Sequence, residues 1–278
     1  MSSSTRTSGT FAPNTCIKIV LALHELFDKA GVDKGRGINH ARKVLDHANN
    51  ALALSKIPEN ESDRQAIRYA ALLHDADDKK YFPQSNNHQN TRYILNQVLP
   101  GKNKLINLVV KMIRLTNPLK LSDDASSHRL TNPLKLSDLQ DGEIVVPEWM
   151  LIPRNCIRLE SIGEIGILRA WTHCKRANLP LFLPTTPRVT NEEELNKITT
   201  PERFAKYLRL KKSDSMIDYF YDNLLQHIST ANDTKSEDNP YLRSELQRRY
   251  KVTVEFVLQF GRDGNIDIRN LNRLRALI

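Results

Sequence analysis

Ile38, Ala41, Leu45, Ala48 and Leu52 recur at alternating steps of three and four residues, a spacing that an α-helix gathers onto one side. The same period runs through most of the chain. It predicts helices over 17–30, 38–56, 63–75, 87–99 and 102–115, then one long helix over 154–177. Gly31 ends the first, and Pro100 with Gly101 separates the fourth from the fifth. Ser62, with Gln65 three positions on, has the pattern of a capping box for the third. In that helix Ile67, Ala70, Ala71 and His74 share a face that Leu72 and Leu73 widen, which predicts burial on most sides. Thr200-Pro201-Glu202, Ser215 with Asp218, and Asn239-Pro240 open three further helices, the last running to about Phe260 before a turn at Asp263 and Gly264. Period-two alternation is too weak for a sheet, so the expected fold class is all-α with at most a minor hairpin.

Composition narrows the function classes. The 278 residues carry 41 Lys and Arg against 32 Asp and Glu, a net charge of +9 that suits an anionic partner. No uncharged apolar run approaches the roughly 18 residues of a membrane span. The polar N-terminus lacks the order of a secretory signal, so a cytoplasmic protein is expected. Three cysteines without a CxxC pair argue against a disulfide scaffold. Neither GxGxxG nor GxxxxGK[ST] occurs, which removes support for a dinucleotide fold or a P-loop.

Two stretches stand apart from the helical pattern. RLTNPLKLSD occurs twice without change, at 114–123 and 129–138. Two copies are too few for a solenoid, and the duplication reads as a lengthened surface loop or as a lid beside a site. The segment PLFLPTTPRVT, 180–190, has three prolines and reads as a linker. Gly163 and Gly166 inside the long helix each cost about 1 kcal/mol relative to Ala, which suggests close packing against another helix.

The residues suited to chemistry are His40, near a helix start, and the adjacent His74 and Asp75 at a helix end. Imidazoles hold borderline divalent cations and a carboxylate adds a hard oxygen. Three such groups leave positions open for water and substrate, as a catalytic metal needs. A His-Asp pair at a helix end also serves as a cap or an ion pair. His47, seven residues after His40, reads as a surface helix residue, or else as a second histidine of the site.

Three ordered blocks, GINHARKVLDHA, AIRYAALLHDADDKKYF and IPRNCIRLESIGEIGILRA, resemble the HD superfamily of metal-dependent phosphohydrolases. Within it they resemble the stand-alone single-domain branch, whose third block runs approximately A-D-R-L-[DE]-A-I-G-x-I-G. The resemblance covers about 36–182, and PLFLPTTPR and SMIDYFYDNLL resemble a C-terminal helical part of some relatives. The expected organisation is a flexible N-terminal tail at 1–16, an HD-type helical domain over 17–182 with the duplicated loop at 114–138, and a C-terminal helical extension over 183–278 packed on the core. The resemblance implies that His40, His74 and Asp75 are metal ligands. Asp78, Lys79 and Phe82 fall in the variable tail after the HD pair, where relatives place charged groups near the substrate phosphate. Residues Arg158, Leu159, Glu160, Ile162, Gly163, Ile165 and Gly166 match the third block.

One position departs from the family pattern: the aspartate that completes the metal sphere is replaced by Ile157, which cannot coordinate a cation. Glu160, one turn away, is the nearest substitute by spacing, and the adjacent Cys156 reads as a small buried hydrophobe. The expected function is a phosphohydrolase acting on a nucleotide or other small phosphate ester, with Mn, Fe, Co or Zn, or Mg, as cofactor. Asp78 or Glu160 would orient or deprotonate the water, and Lys79 or Arg158 would stabilise phosphate charge. The alternative is a catalytically degenerate HD-fold protein acting as a binding or regulatory module. QRRYK, 247–251, and RNLNRLRAL, 269–277, read as solvated helix faces, so nucleic acid is not the expected partner.

Overall fold

The computed structural model describes residues 13–32, 37–116, 146–210, 212–232, 239–269 and 271–272. All regular structure among them is helical, with no strand, in agreement with the all-α expectation. The N-terminal part comprises α1 (Pro13–Lys29), α2 (Ile38–Ala53), α3 (Glu61–Leu73), α4 (Gln89–Val98) and α5 (Asn103–Thr116). A short 3₁₀ turn (Glu148–Leu151) then leads into α6 (Ile152–Leu159) and α7 (Gly163–Ala177). The C-terminal part adds α8 (Glu192–Ile198), α9 (Pro201–Leu210), α10 (Met216–Asn232) and α11 (Pro240–Asp263).

Helix α3 is the axis of the first core. Seven of its residues, from Ala66 to Leu73, are buried, and it packs against α1, α2, α5 and α6. Three alanines, Ala66, Ala70 and Ala71, keep its surface narrow enough for neighbours on most sides. The cap differs from expectation. Asn60, not Ser62, holds the first turn, its side-chain oxygen accepting from Ser62 N at 2.8 Å. That choice brings Glu61 and Asp63 into the first turn, where carboxylates complement the helix dipole. Helix α1 likewise starts earlier than the periodicity indicates, so Pro13 to Cys16 are helical and not tail.

The expected long helix over 154–177 is two helices. The chain leaves α6 at Glu160 and re-enters at Gly163, whose φ of +69° lies in the left-handed region that an L side chain avoids. Gly163 N donates to Thr253 Oγ1 of α11 at 2.8 Å, and a Cβ on Gly163 would stand 3.0 Å from the Arg249 side chain. At Gly166 a Cβ would meet the Ser161 carbonyl oxygen at 2.3 Å. Gly163 thus allows the approach of α11, while Gly166 closes the break itself.

A second core gathers Ile167, Trp171, Met216, Tyr221, Leu224 and Val257 from α7, α10 and α11. The proline-rich segment expected as a linker is bound to it. Pro180 O and Leu181 O accept from Met216 N and Ile217 N, Tyr221 donates to Pro187 O at 2.9 Å, and Val189 is 3% exposed. Helix α11 joins both cores, with Leu242 and Leu246 in the first and Val254 and Val257 in the second. The tail at 1–12, all of the duplicated loop beyond Thr116, and most of 269–277 lie outside the described residues.

Candidate metal centre and its cavity

His40 projects from the first turn of α2, and His74 and Asp75 follow the last turn of α3. Packing of α2 on α3 brings the two imidazoles together, ring centroids 5.0 Å apart and nearly perpendicular. His74 Nε2 lies 3.2 Å from both His40 Nε2 and Asp75 Oδ2, and His40 Nε2 lies 4.0 Å from Asp75 Oδ2. One ligand atom from each falls within 4.8 Å of the others. Atoms bound about 2.0–2.2 Å from one ion stand roughly 3–4 Å apart, so the donor set fits a borderline dication.

The end of α3 also fixes the His74 ring. Ala71 O is one of the carbonyls a helix terminus leaves without an intrahelical partner. His74 Nδ1 donates to it at 2.8 Å, which leaves Nε2 to face His40 and Asp75. One nitrogen of His74 thus closes the helix end and the other is left available to a cation. Burial opposes a charge on His74, but the Asp75 carboxylate prevails and raises its pKa. Burial also opposes ionisation of Asp75, yet His74, His40 and Arg169 hold its carboxyl below the usual range. For His40 burial dominates, joined by repulsion from His74 and Arg169, and its pKa falls to about 4.

Glu160 sits at the α6–α7 break with 4% of its surface exposed. Its Oε1 accepts from Arg249 Nη1 at 3.2 Å and lies 3.0 Å from His47 Nε2, while Oε2 stands 3.9 Å from His40 Nδ1. Burial would raise its pKa, but His40, His47 and Arg249 together hold it below the carboxylate range. His47 is buried, not a surface residue. Its Nδ1 lies 2.6 Å from Tyr241 Oη, and its Nε2 belongs to the Glu160–Arg249 network and not to the His40 cluster.

A cavity of about 400 Å³ opens over His40 and Asp75, between the turn after α3, the α6–α7 break and the segment from α9 to α10. His40, Asp75, Asp78, Glu160 and Ile157 line one part of it; Arg169, His173, Tyr207, Lys212 and Tyr219 line another. Of the four residues expected to serve chemistry, Asp78 and Glu160 face this space. Lys79 does not line it. Its ammonium donates to the carbonyls of Pro83 and Ser85 and to Asn86 Oδ1 at 3.1 Å, closing the loop before α4. Arg158 is also absent from the lining, since successive positions on α6 diverge by about 100° and Ile157 takes the inward one. Phe82 packs on Phe27 at the first core, and Cys156 is fully buried. Arg169 and His173, which belong to no motif named from the sequence, carry the signal of an i, i+4 pair one turn apart on α7.

No protein-family profile matches the chain. It is 33% identical over 238 residues to the uncharacterized protein L803 of Acanthamoeba polyphaga mimivirus, covering 81% of this chain and 88% of that one. Among solved structures it resembles an HD-superfamily hydrolase from Bacillus thuringiensis, with a TM-score of 0.54, 17% identity, and 91% and 97% of the two chains covered. It also resembles a protein from Lactobacillus plantarum, with a TM-score of 0.57, 21% identity and the same coverage. The fold is the all-α bundle of these proteins. No described helix is long and apolar enough to cross a membrane.

Proposed function

Because the chain belongs to one family with the mimivirus protein and shares its fold with an HD-superfamily hydrolase, we propose that it is a metal-dependent phosphohydrolase acting on a nucleotide or other small phosphate ester. The observation that carries this reading is the convergence of His40 Nε2, His74 Nε2 and Asp75 Oδ2 beside a cavity of substrate size that His40 and Asp75 line. In this reading 17–182 form the HD-type domain and 183–278 its extension, which supplies Tyr207, Lys212 and Tyr219 to the cavity.

His40, His74 and Asp75 would hold Mn, Fe, Co, Zn or Mg, which when bound lowers the pKa of a water and polarises a phosphoryl oxygen. The chain's own residues do the rest. Asp78 faces the cavity with its Oδ1 accepting from Lys80 N at 3.0 Å, a fixed carboxylate suited to orient or deprotonate the water. Glu160, engaged by His47 and Arg249, supports the His40 ring. Phosphate charge falls to the cations that line the cavity, Lys80, Arg169 and Lys212, in place of Lys79 and Arg158.

The test is phosphate release from a nucleotide panel with Mn²⁺ or Co²⁺. Turnover that disappears in His74→Ala supports the reading, and a wild type without turnover on any phosphate ester overturns it. A second reading rests on Ile157, which presents an alkyl group to the cavity that His40 also lines. The protein would then be a degenerate HD fold that binds ligand without hydrolysis. That reading predicts metal and turnover in Ile157→Asp and neither of them in the wild type.

A further inference from the structure

We infer that Arg169 and a divalent cation compete for His40, and that loading the site hands the Arg169 guanidinium to the anionic group of the substrate. The inference rests on the metal-dependent reading above and concerns how the site changes when it is filled.

Arg169 Nη1 donates to His40 Nδ1 at 2.5 Å. A guanidinium has donors and no acceptor, so Nδ1 presents its lone pair to it. A neutral imidazole carries one proton, which then sits on Nε2, directed at His74 Nε2 3.2 Å away and Asp75 Oδ2 4.0 Å away. Nε2 cannot give a lone pair to a cation while it holds that proton. A ligating histidine has the reverse arrangement, with Nε2 bare and Nδ1–H given to an acceptor. The acceptor is already in place. Glu160 Oε2 lies 3.9 Å from Nδ1, held from the other side by His47 and Arg249. Loading thus shifts one proton from Nε2 to Nδ1, with none gained or lost. It turns Nδ1 toward Glu160 and evicts Arg169.

Charge acts in the same direction. The guanidinium lies close enough to act electrostatically on His40, His74 and Asp75 alike, and a dication among those three repels it. Its destination is the same cavity, where His173 lies one turn further along α7 and Lys212 and Tyr219 face it. A planar fork of donors there matches two oxygens of a phosphate. The sequence asks one side chain to stabilise the empty site and to receive the substrate once the site is filled. That coupling favours metal before substrate.

The experiment uses the full chain, stripped with chelator, and Zn²⁺ alone as the first probe. Arg169→Gln is expected to bind Zn²⁺ about tenfold more tightly than wild type, while Arg169→Lys, which keeps the charge, stays near wild type. The ¹⁵N shifts of His40 should report Nε2–H in the metal-free wild type and Nδ1–H after Zn²⁺. Inorganic phosphate added to the loaded protein should bind about tenfold more weakly in Arg169→Gln, the loss of a charge-assisted bidentate contact. Equal or weaker Zn²⁺ binding by Arg169→Gln, or an Nδ1–H tautomer in the metal-free wild type, overturns the inference and leaves the metal site standing. Zn²⁺ bound by neither form overturns the metal reading itself, and this inference with it.

Discussion

Arg249→Met isolates the ion pair that ties the C-terminal helix to the candidate site. Arg249 Nη1 donates to Glu160 Oε1 at 3.2 Å and to Leu159 O at 2.7 Å, with 12% of its side chain exposed. Glu160 is still less exposed, so the substitution leaves a buried carboxylate with His47 as its remaining close side-chain partner on Oε1. Breaking a buried pair from one side costs about 3–5 kcal/mol, and the surviving His47 contact places this case near 3 kcal/mol. At roughly 2 °C per kcal/mol for a chain of this size, Tm falls by about 6 °C. The neighbouring Arg248 is the control. It bridges Glu164 and Glu245 with half its side chain in solvent, so Arg248→Met costs under about 1 kcal/mol. Urea unfolding followed by circular dichroism measures both. Adding Glu160→Gln to Arg249→Met should recover on the order of 2 kcal/mol of the expected additive loss. Equal midpoints for Arg248→Met and Arg249→Met, or strict additivity in the double variant, would refute the claim that a buried charge network links α6 to α11.

Two further outcomes follow from the same geometry. Gly166→Ala places a Cβ 2.3 Å from the Ser161 carbonyl oxygen, and the overpacked break should lower stability by about 2–3 kcal/mol, read as a urea midpoint; a change below about 0.5 kcal/mol contradicts the close approach. His40 has a folded pKa depressed to about 4 from 6.5, so between those values the unfolded chain binds the extra proton. Its contribution is present above pH 6.5 and lost as pH falls toward 4, on the order of 3 kcal/mol in chelator-treated protein. Urea midpoints at pH 6.5 and 4.5 should differ more for wild type than for His40→Gln, and equal differences contradict the assignment.

The bundle was legible because burial in helices writes itself as a period of three and four, and most expected helices occur within a few residues of their predicted bounds. Local signals that competed were less decisive. Asn60 and Ser62 are both good caps, and the one that engages α3 is set by where the preceding chain enters. The break at 160–162 escaped the periodicity because its causes are distant: Thr253 receives the Gly163 N–H, and Arg249 occupies the space a side chain would need. His47 failed for the same reason, since its partners lie 113 and 194 positions away. His40, His74 and Asp75 were named from residue type and block resemblance, and the packing of α2 on α3 brings them together. Lys79 and Arg158 matched by sequence position, but side-chain direction follows helix phase and local turns, which turn both away from the cavity.

The proposed function requires two imidazoles and one carboxylate to grip a single ion. Anomalous scattering from crystals grown with Mn²⁺ locates that ion. One strong peak is expected about 2.0–2.3 Å from His40 Nε2, His74 Nε2 and Asp75 Oδ2, absent in His74→Ala crystals. A peak at another place, or the two rings still within 3.2 Å of each other around nothing at saturating Mn²⁺, would contradict it.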